Sequence, residues 1–186
     1  MIRSFICVEI TNPDIVILLN NQISELGKYE GVRAVKPSQF HLTLKFLGEI
    51  STKQLESIQN TISQVKYSPF EIYLKGMGCF PNINRVRVIW IGISEGAEKL
   101  KQLAEIIEEL LIPIGFIKDK RPFSPHLTLA RVKYLKKDQK MALIHKIEES
   151  KELKIGTQNV DRVILKKSTL TPKGAIYENL LEVPLL

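Results

Sequence analysis

Phe40–Ile50 reads FHLTLKFLGEI, and Pro125–Val132 reads PHLTLARV. Both contain His-Leu-Thr-Leu. The chain has 3 histidines in 186 residues, and two of them open this tetrapeptide, at His41 and His126. Side chains alternate across a strand. In the first copy His41, Thr43 and Lys45 therefore share one face, opposite Leu42, Leu44 and Phe46. In the second, His126, Thr128 and Ala130 lie opposite Leu127 and Leu129. The leucine faces suit packing under helices, which leaves the His/Thr faces directed into whatever lies between the two strands.

Working outward, each copy sits in the same order of elements: helix, His-strand, helix, strand pair. Ser4–Ile10 reads as a buried opening strand. Asn12 is an N-cap with Pro13 at the first helical position, and Ile15, Leu18, Leu19, Ile23 and Leu26 recur at helical spacing. Ser51 caps a second helix with Leu55, Ile58, Ile62 and Val65 on one stripe. Phe70–Met77 reads as a strand, CFPNINR (79–85) as a turn, and Val86–Ile93 as a strand. The second half has a helix over Glu95–Leu111, the strand HLTLARV, and a helix over Lys137–Ser150 with Met141, Ile144 and Ile147 inward. A strand pair around the turn TPKG (171–174) closes it. These elements predict an α+β fold, bilobal and internally duplicated, with residues 1–186 as one domain. Such a duplication can bring the two His-strands together across a pseudo-twofold axis, each supplying half a site.

Composition narrows the classes. Hydrophobic residues are 44% and charged residues 25% of the chain, which excludes disordered and fibrous classes. No apolar run approaches the roughly 20 residues of a membrane span. The opening MIRSFICVEI lacks the apolar core and small-residue site of a signal peptide, so a cytoplasmic protein is expected. A formal net charge of +7 favours a polyanionic partner. Cys7 and Cys79 lack a metal-ligand spacing and are expected as two buried thiols. No cofactor and no metal is expected, and monomer is the default.

Two histidines and two threonines converging in a cleft suit phosphate chemistry. One imidazole removes a proton from water while the other protonates the leaving oxygen, and an unperturbed His titrates near pH 6.5, where both states are accessible. The threonine hydroxyls can hydrogen-bond non-bridging oxygens. A lone His-x-Thr on a strand is usually structural. Two copies in matching places, using two of the three histidines, are not so easily dismissed. Neither copy brings an acidic residue on its His face, which argues against a metal centre, and no nucleophile elbow supports a Ser-His-Asp triad. His145 reads as a solvated helix residue.

FHLTLKFLGEI together with RPFSPHLTLARV resembles the two signature motifs of the two-histidine (2H) phosphoesterase superfamily. It is most similar to the RNA 2',3'-cyclic phosphodiesterases, historically called 2'-5' RNA ligases. IRSFICVEI, GCFPNINRVRVIWIGI and LKKSTLTPKGAIYE look like that family's too, so the resemblance covers nearly the whole chain. Val86 stands where the family often has Pro. The resemblance implies two antiparallel-rich sheets lining a central cleft with helices packed outside. It also implies metal-independent hydrolysis of RNA 2',3'-cyclic phosphate ends to 2'-phosphates, and 2'-5' joining of ends such as tRNA halves. Its implied partners are such RNA ends or small nucleoside cyclic phosphates. By carry-over His41 is the proton donor, His126 the proton acceptor, and Thr43 and Thr128 hold the phosphate. Further substrate-binding candidates are Lys45 on the His41 face, Arg121 in the loop before the second motif, and Phe5 and Tyr177, which stack a base or else pack in the core. Arg131 belongs to the resembling motif, yet alternation sends it to the leucine side unless the strand ends or bulges at Ala130. The competing expectation is an RNA- or nucleotide-binding module with the same fold and little turnover.

Overall fold

Among the described residues, the apolar runs pair into one curled antiparallel sheet of nine strands. This computed structural model describes residues 1–172 and 174–186. Lys173, within the expected TPKG turn, lies outside the described residues. The chain runs β1 (Ile2–Glu9), α1 (Pro13–Leu26), β2 (Val32–Ala34), β3 (His41–Ile50), α2 (Thr52–Ile62), β4 (Phe70–Asn82) and β5 (Arg85–Glu95). It continues through α3 (Ala97–Leu111), β6 (His126–Val132), α4 (Lys137–Glu149), β7 (Lys154–Val160), β8 (Arg162–Thr171) and β9 (Gly174–Pro184).

Across the sheet the order is β7-β4-β5-β6-β3-β1-β8-β9, with β2 beside β6. The two His-strands, β3 and β6, are thus central neighbours. Among the described residues they share one ladder pair, Leu42 with Leu127. The two expected sheets are the halves on either side of this seam. Both leucines are fully buried and belong to one continuous core with Ile15, Leu19, Leu103 and Ile107. Burial of apolar surface, more than ladder hydrogen bonds, therefore holds the halves together.

The helices also cross the seam. α1 follows β1 but packs on β2, β6 and β7, while α3 follows β5 but packs on β3 and α2. The buried Gln158 of β7 fixes the start of α1, its Oε1 accepting the backbone N–H groups of Thr11 and Asn12 at 3.0 Å each. Asn12 caps the helix by accepting from the Asp14 N–H at 3.0 Å, and Ser51 with Gln54 closes a capping box on α2.

Two bulges decide what faces the cleft. On β3, Cys7 pairs with Thr43 but Ile6 with Lys45. On β6, Trp90 pairs with Thr128 but Ile89 with Ala130. Each skip inserts one residue into the His-strand. Two successive residues are then buried, Leu44 with Lys45 and Leu129 with Ala130. The next side chains, Phe46 and Arg131, return to the His/Thr face. Strict alternation predicted otherwise for Lys45, Phe46, Ala130 and Arg131.

Other differences are smaller. β4 runs on through Phe80 to Asn82, so the expected CFPNINR turn shrinks to Ile83 and Asn84. β2 and β7 are additional strands. On α4, Leu143 and Ile147 are buried while Met141 is exposed.

Candidate active site

Continuing the register of Leu42 with Leu127 sets His41 opposite Thr128 and Thr43 opposite His126. Directly opposed residues of an antiparallel pair share a face. Two copies of one tetrapeptide, crossed at their first leucines, thus make a four-cornered array of alternating His and Thr.

Each imidazole is oriented in the same way. His41 Nδ1 lies 2.7 Å from the Gln39 carbonyl oxygen, and His126 Nδ1 lies 2.7 Å from that of Ser124. A carbonyl oxygen only accepts, so both Nδ1 atoms carry the proton and both Nε2 atoms are left for other partners. The Gln39 side chain in turn donates to the Ala175 carbonyl of β9 at 2.5 Å. Aromatic rings brace each histidine. Phe5 and Tyr177 stand 5.0 and 5.3 Å from the His41 ring. Phe80 stands 4.9 Å from the His126 ring and Trp90 6.4 Å from it. Trp90 lies flat on Gly78, where a Cβ would come within 2.3 Å of the indole; no other residue fits beneath that ring.

Burial sets the charge of the pair. The His41 pKa falls from 6.5 to about 4, mainly through desolvation; the Lys166 and Arg131 charges add to the fall, while the Gln39 bond and Glu9 oppose it. His126 is lowered too, by desolvation first and Arg131 second, against the Ser124 bond. Both imidazoles are neutral near pH 7 in the free site. The linkage for His41 has a definite sign. Above pH 6.5 neither the folded nor the unfolded chain holds this proton; from there down to about pH 4 the unfolded chain binds it and the folded chain does not. Stability should therefore fall over that window by on the order of 3 kcal/mol. Urea unfolding across the window checks this. His41→Gln should flatten the decline, and an unaltered decline would rule His41 out as its source.

The structure distributes the sequence-predicted residues unevenly. His41, His126, Thr43 and Thr128 come together on the one face. Arg131 joins them through the β6 bulge, and its charge acts on His41, His126 and Tyr177 alike. Phe5 is buried and Tyr177 half-buried against His41. Arg121 is exposed in the loop before β6. Lys45 is a correction: the β3 bulge turns it to the helix side, where it is 3% exposed. There it pairs with Glu108 of α3, with the Asp119 carboxylate at 2.9 Å, and donates to the Ile117 carbonyl at 3.1 Å.

Sequence reasoning missed Phe46, Phe80, Trp90, Glu9 and Lys166. The last two form a charged floor near His41: Lys166 is 6% exposed, with Nζ 2.5 Å from Glu9 Oε1 and 2.5 Å from Asn179 Oδ1. The lysine lies on this face because β8 pairs it with Phe5. Beside it the fully buried Cys7 thiol is pushed up to about 12 by burial, which makes it unreactive at neutral pH. Among the described residues, no three His, Cys, Asp or Glu side chains group as metal ligands. No helix among the described residues is long and apolar enough to cross a membrane. A separate cavity of about 230 Å³ lies beside α4, lined by Ile83, Arg85, Val132, Tyr134 and Ile144 among others, and holds no histidine.

This geometry matches known proteins over its whole extent. Residues 4–185 fit the family model of the AKAP7 2'5' RNA ligase-like domain. The RNA 2',3'-cyclic phosphodiesterase of Archaeoglobus fulgidus is 42% identical over 158 residues, covering 85% of this chain and 86% of the relative. That of Methanocaldococcus jannaschii is 38% identical over 176 residues, covering 95% and 96%. The crystal structure of TT0787 from Thermus thermophilus superposes with a TM-score of 0.83 at 27% identity, covering 98% of this chain and 97% of that one. Escherichia coli LigT complexed with 3'-AMP has the same fold, with a TM-score of 0.79 at 22% identity and coverage of 99% and 98%. With the doubled motif crossed on neighbouring strands and relatives this similar, the chain belongs to the RNA 2',3'-cyclic phosphodiesterase (2'-5' RNA ligase-like) family of two-histidine phosphoesterases.

Proposed function

We propose that the chain hydrolyses the 2',3'-cyclic phosphate at an RNA end to a 2'-phosphate by acid–base catalysis between His41 and His126. The observation that carries this is the crossed His/Thr array, in which both Nδ1 atoms are occupied by carbonyls and both Nε2 atoms are left for the reaction. The family relatives, named for this activity, support it.

A phosphodiester anion between the imidazoles raises their pKa by charge attraction, so one of two neutral histidines takes up a proton as substrate binds. His126 Nε2 then accepts a proton from water as the water oxygen bonds to phosphorus. The bond from phosphorus to O3' breaks, and His41 Nε2–H protonates O3'. Thr43, Thr128 and Arg131 bind the non-bridging oxygens, whose charge grows in the transition state. A 5'-hydroxyl in place of water gives a 2'-5' linkage by the same two proton transfers.

The test is incubation with a nucleoside 2',3'-cyclic phosphate, and with an RNA ending in that group, in the presence of chelator. The expected product is the 2'-phosphate. A 3'-phosphate would overturn the leaving-group assignment. Binding of both ends without ring opening would instead make the chain a binding module.

A further inference from the structure

The 3-residue strand β2 brings a further arginine to the cleft. β2 pairs with the last turn of β6 so that Arg33 stands directly opposite Arg131. Opposed residues share a face, and the β6 bulge has already returned Arg131 to the face of His126 and Thr128. Arg33 is therefore on the cleft face. Both arginines are exposed. Among the described residues neither has a carboxylate within ion-pair distance. Like charges directly opposite one another destabilise a sheet, and this pair has no internal acid to relieve it. An anion placed between or beside the two guanidinium groups does relieve it, through bidentate, charge-assisted hydrogen bonds.

Position tells which anion. β2 occupies the side of β6 that β3 occupies further along, and the backbone N–H of Val35 donates to the Leu129 carbonyl at 2.8 Å between them. The chain then turns through Pro37–Gln39, whose last carbonyl orients His41. Arg33 thus flanks the reacting centre on the His41 side. In the proposed reaction that side holds the ribose whose O3' departs, and the RNA strand continues from the 5' position of the same ribose. Opposed Cα atoms sit about 5 Å apart, and arginine side chains are long enough for the two guanidinium groups to reach neighbouring phosphates.

We propose that Arg33, opposite Arg131, binds the phosphodiester one step upstream of the reacting end, so that the chain favours an RNA strand over a cyclic mononucleotide. This rests on the RNA-end reading of the site. Arg131 serves the reacting phosphate and Arg33 the next one, which a cyclic mononucleotide lacks.

The experiment compares kcat/KM for a nucleoside 2',3'-cyclic phosphate and for a short RNA ending in the same group, in the wild type and in Arg33→Gln, Arg33→Glu and Arg33→Lys. The ratio of RNA to mononucleotide should fall about tenfold in Arg33→Gln, the effect of one charge-assisted contact. It should fall further in Arg33→Glu and recover in large part in Arg33→Lys. Binding of a 2'-phosphate-ended RNA, followed by fluorescence anisotropy over a range of salt, should lose about 0.7 from the slope of log affinity against log salt in Arg33→Gln. An unchanged ratio with an unchanged slope overturns the proposal. Equal losses on both substrates also overturn it, because they would make Arg33 part of the scaffold. If the wild type opened neither substrate, the catalytic reading would fall, and the salt slope with product-like RNA would still decide Arg33.

Discussion

Replacing His126 or His41 by alanine should each lower kcat/KM for ring opening by about 10²–10⁴, the span of a positioned general acid or base. The two losses should differ in kind. Without His126 no group activates water, so the defect persists whatever the leaving group. Without His41 the departing oxygen lacks a proton, and an aryl phosphodiester that leaves without one should regain most of the rate in His41→Ala alone. Rescue of His126→Ala instead would exchange the two roles, and near-wild-type turnover in either variant on the natural end would sink the two-histidine mechanism. Both imidazoles are brought below their ordinary pKa by burial, so the rate should fall as pH drops and the accepting histidine fills. The alkaline limb should come from loss of the proton that bound phosphate holds on the donor.

The second large effect lies outside the reaction. Lys45→Met should destabilise the fold by about 3–5 kcal/mol, because it strands a carboxylate that had been paired out of water. Lys45 is 3% exposed and its partner Glu108 only 13%. Glu108 also accepts the Asp119 backbone N–H at 2.7 Å, so the same cation pins the loop leading toward Arg121 and His126 against β3. Urea unfolding measures the loss. Adding Glu108→Leu should return much of it, since an apolar pair of similar volume can replace a buried ion pair. If Lys45→Met left stability intact but abolished binding of nucleotide, the placement of Lys45 on the helix side would be wrong.

The residues that were legible in advance are those governed by local period. Alternation alone placed His41 with Thr43 and His126 with Thr128, because no bulge interrupts those three-residue steps. It failed one residue pair later, at Lys45, Phe46, Ala130 and Arg131, where an inserted residue reverses the faces. Nothing local marks those bulges: neither carries a Gly or Pro, and they show only in the register against β1 and β5. Phe80 was hidden by the turn-like Pro81 and Asn82 that follow it inside β4. β2 is 3 residues long, too short to show a period, and it exists because β6 offers it an edge. Glu108 lies 63 residues from Lys45, and Lys166 reaches Glu9 only through the pairing of β8 with β1. Partners that depend on tertiary register left no trace in the linear pattern.

The exchange of helices across the seam has a consequence for how the molecule comes into being. The apolar stripe of α1 leaves the ribosome well before most of what covers it. β2 follows it directly, but the other two strands that cover it, β6 and β7, come much later, and the Gln158 side chain that fixes its first turn arrives 147 residues after Thr11. Contacts so distant in sequence slow folding and keep apolar surface exposed while they are awaited. Synthesis of this chain is therefore a period of waiting for its N-terminal half: the strand bearing His41 can pair early with β1, but its other edge is met only when the strand bearing His126 arrives.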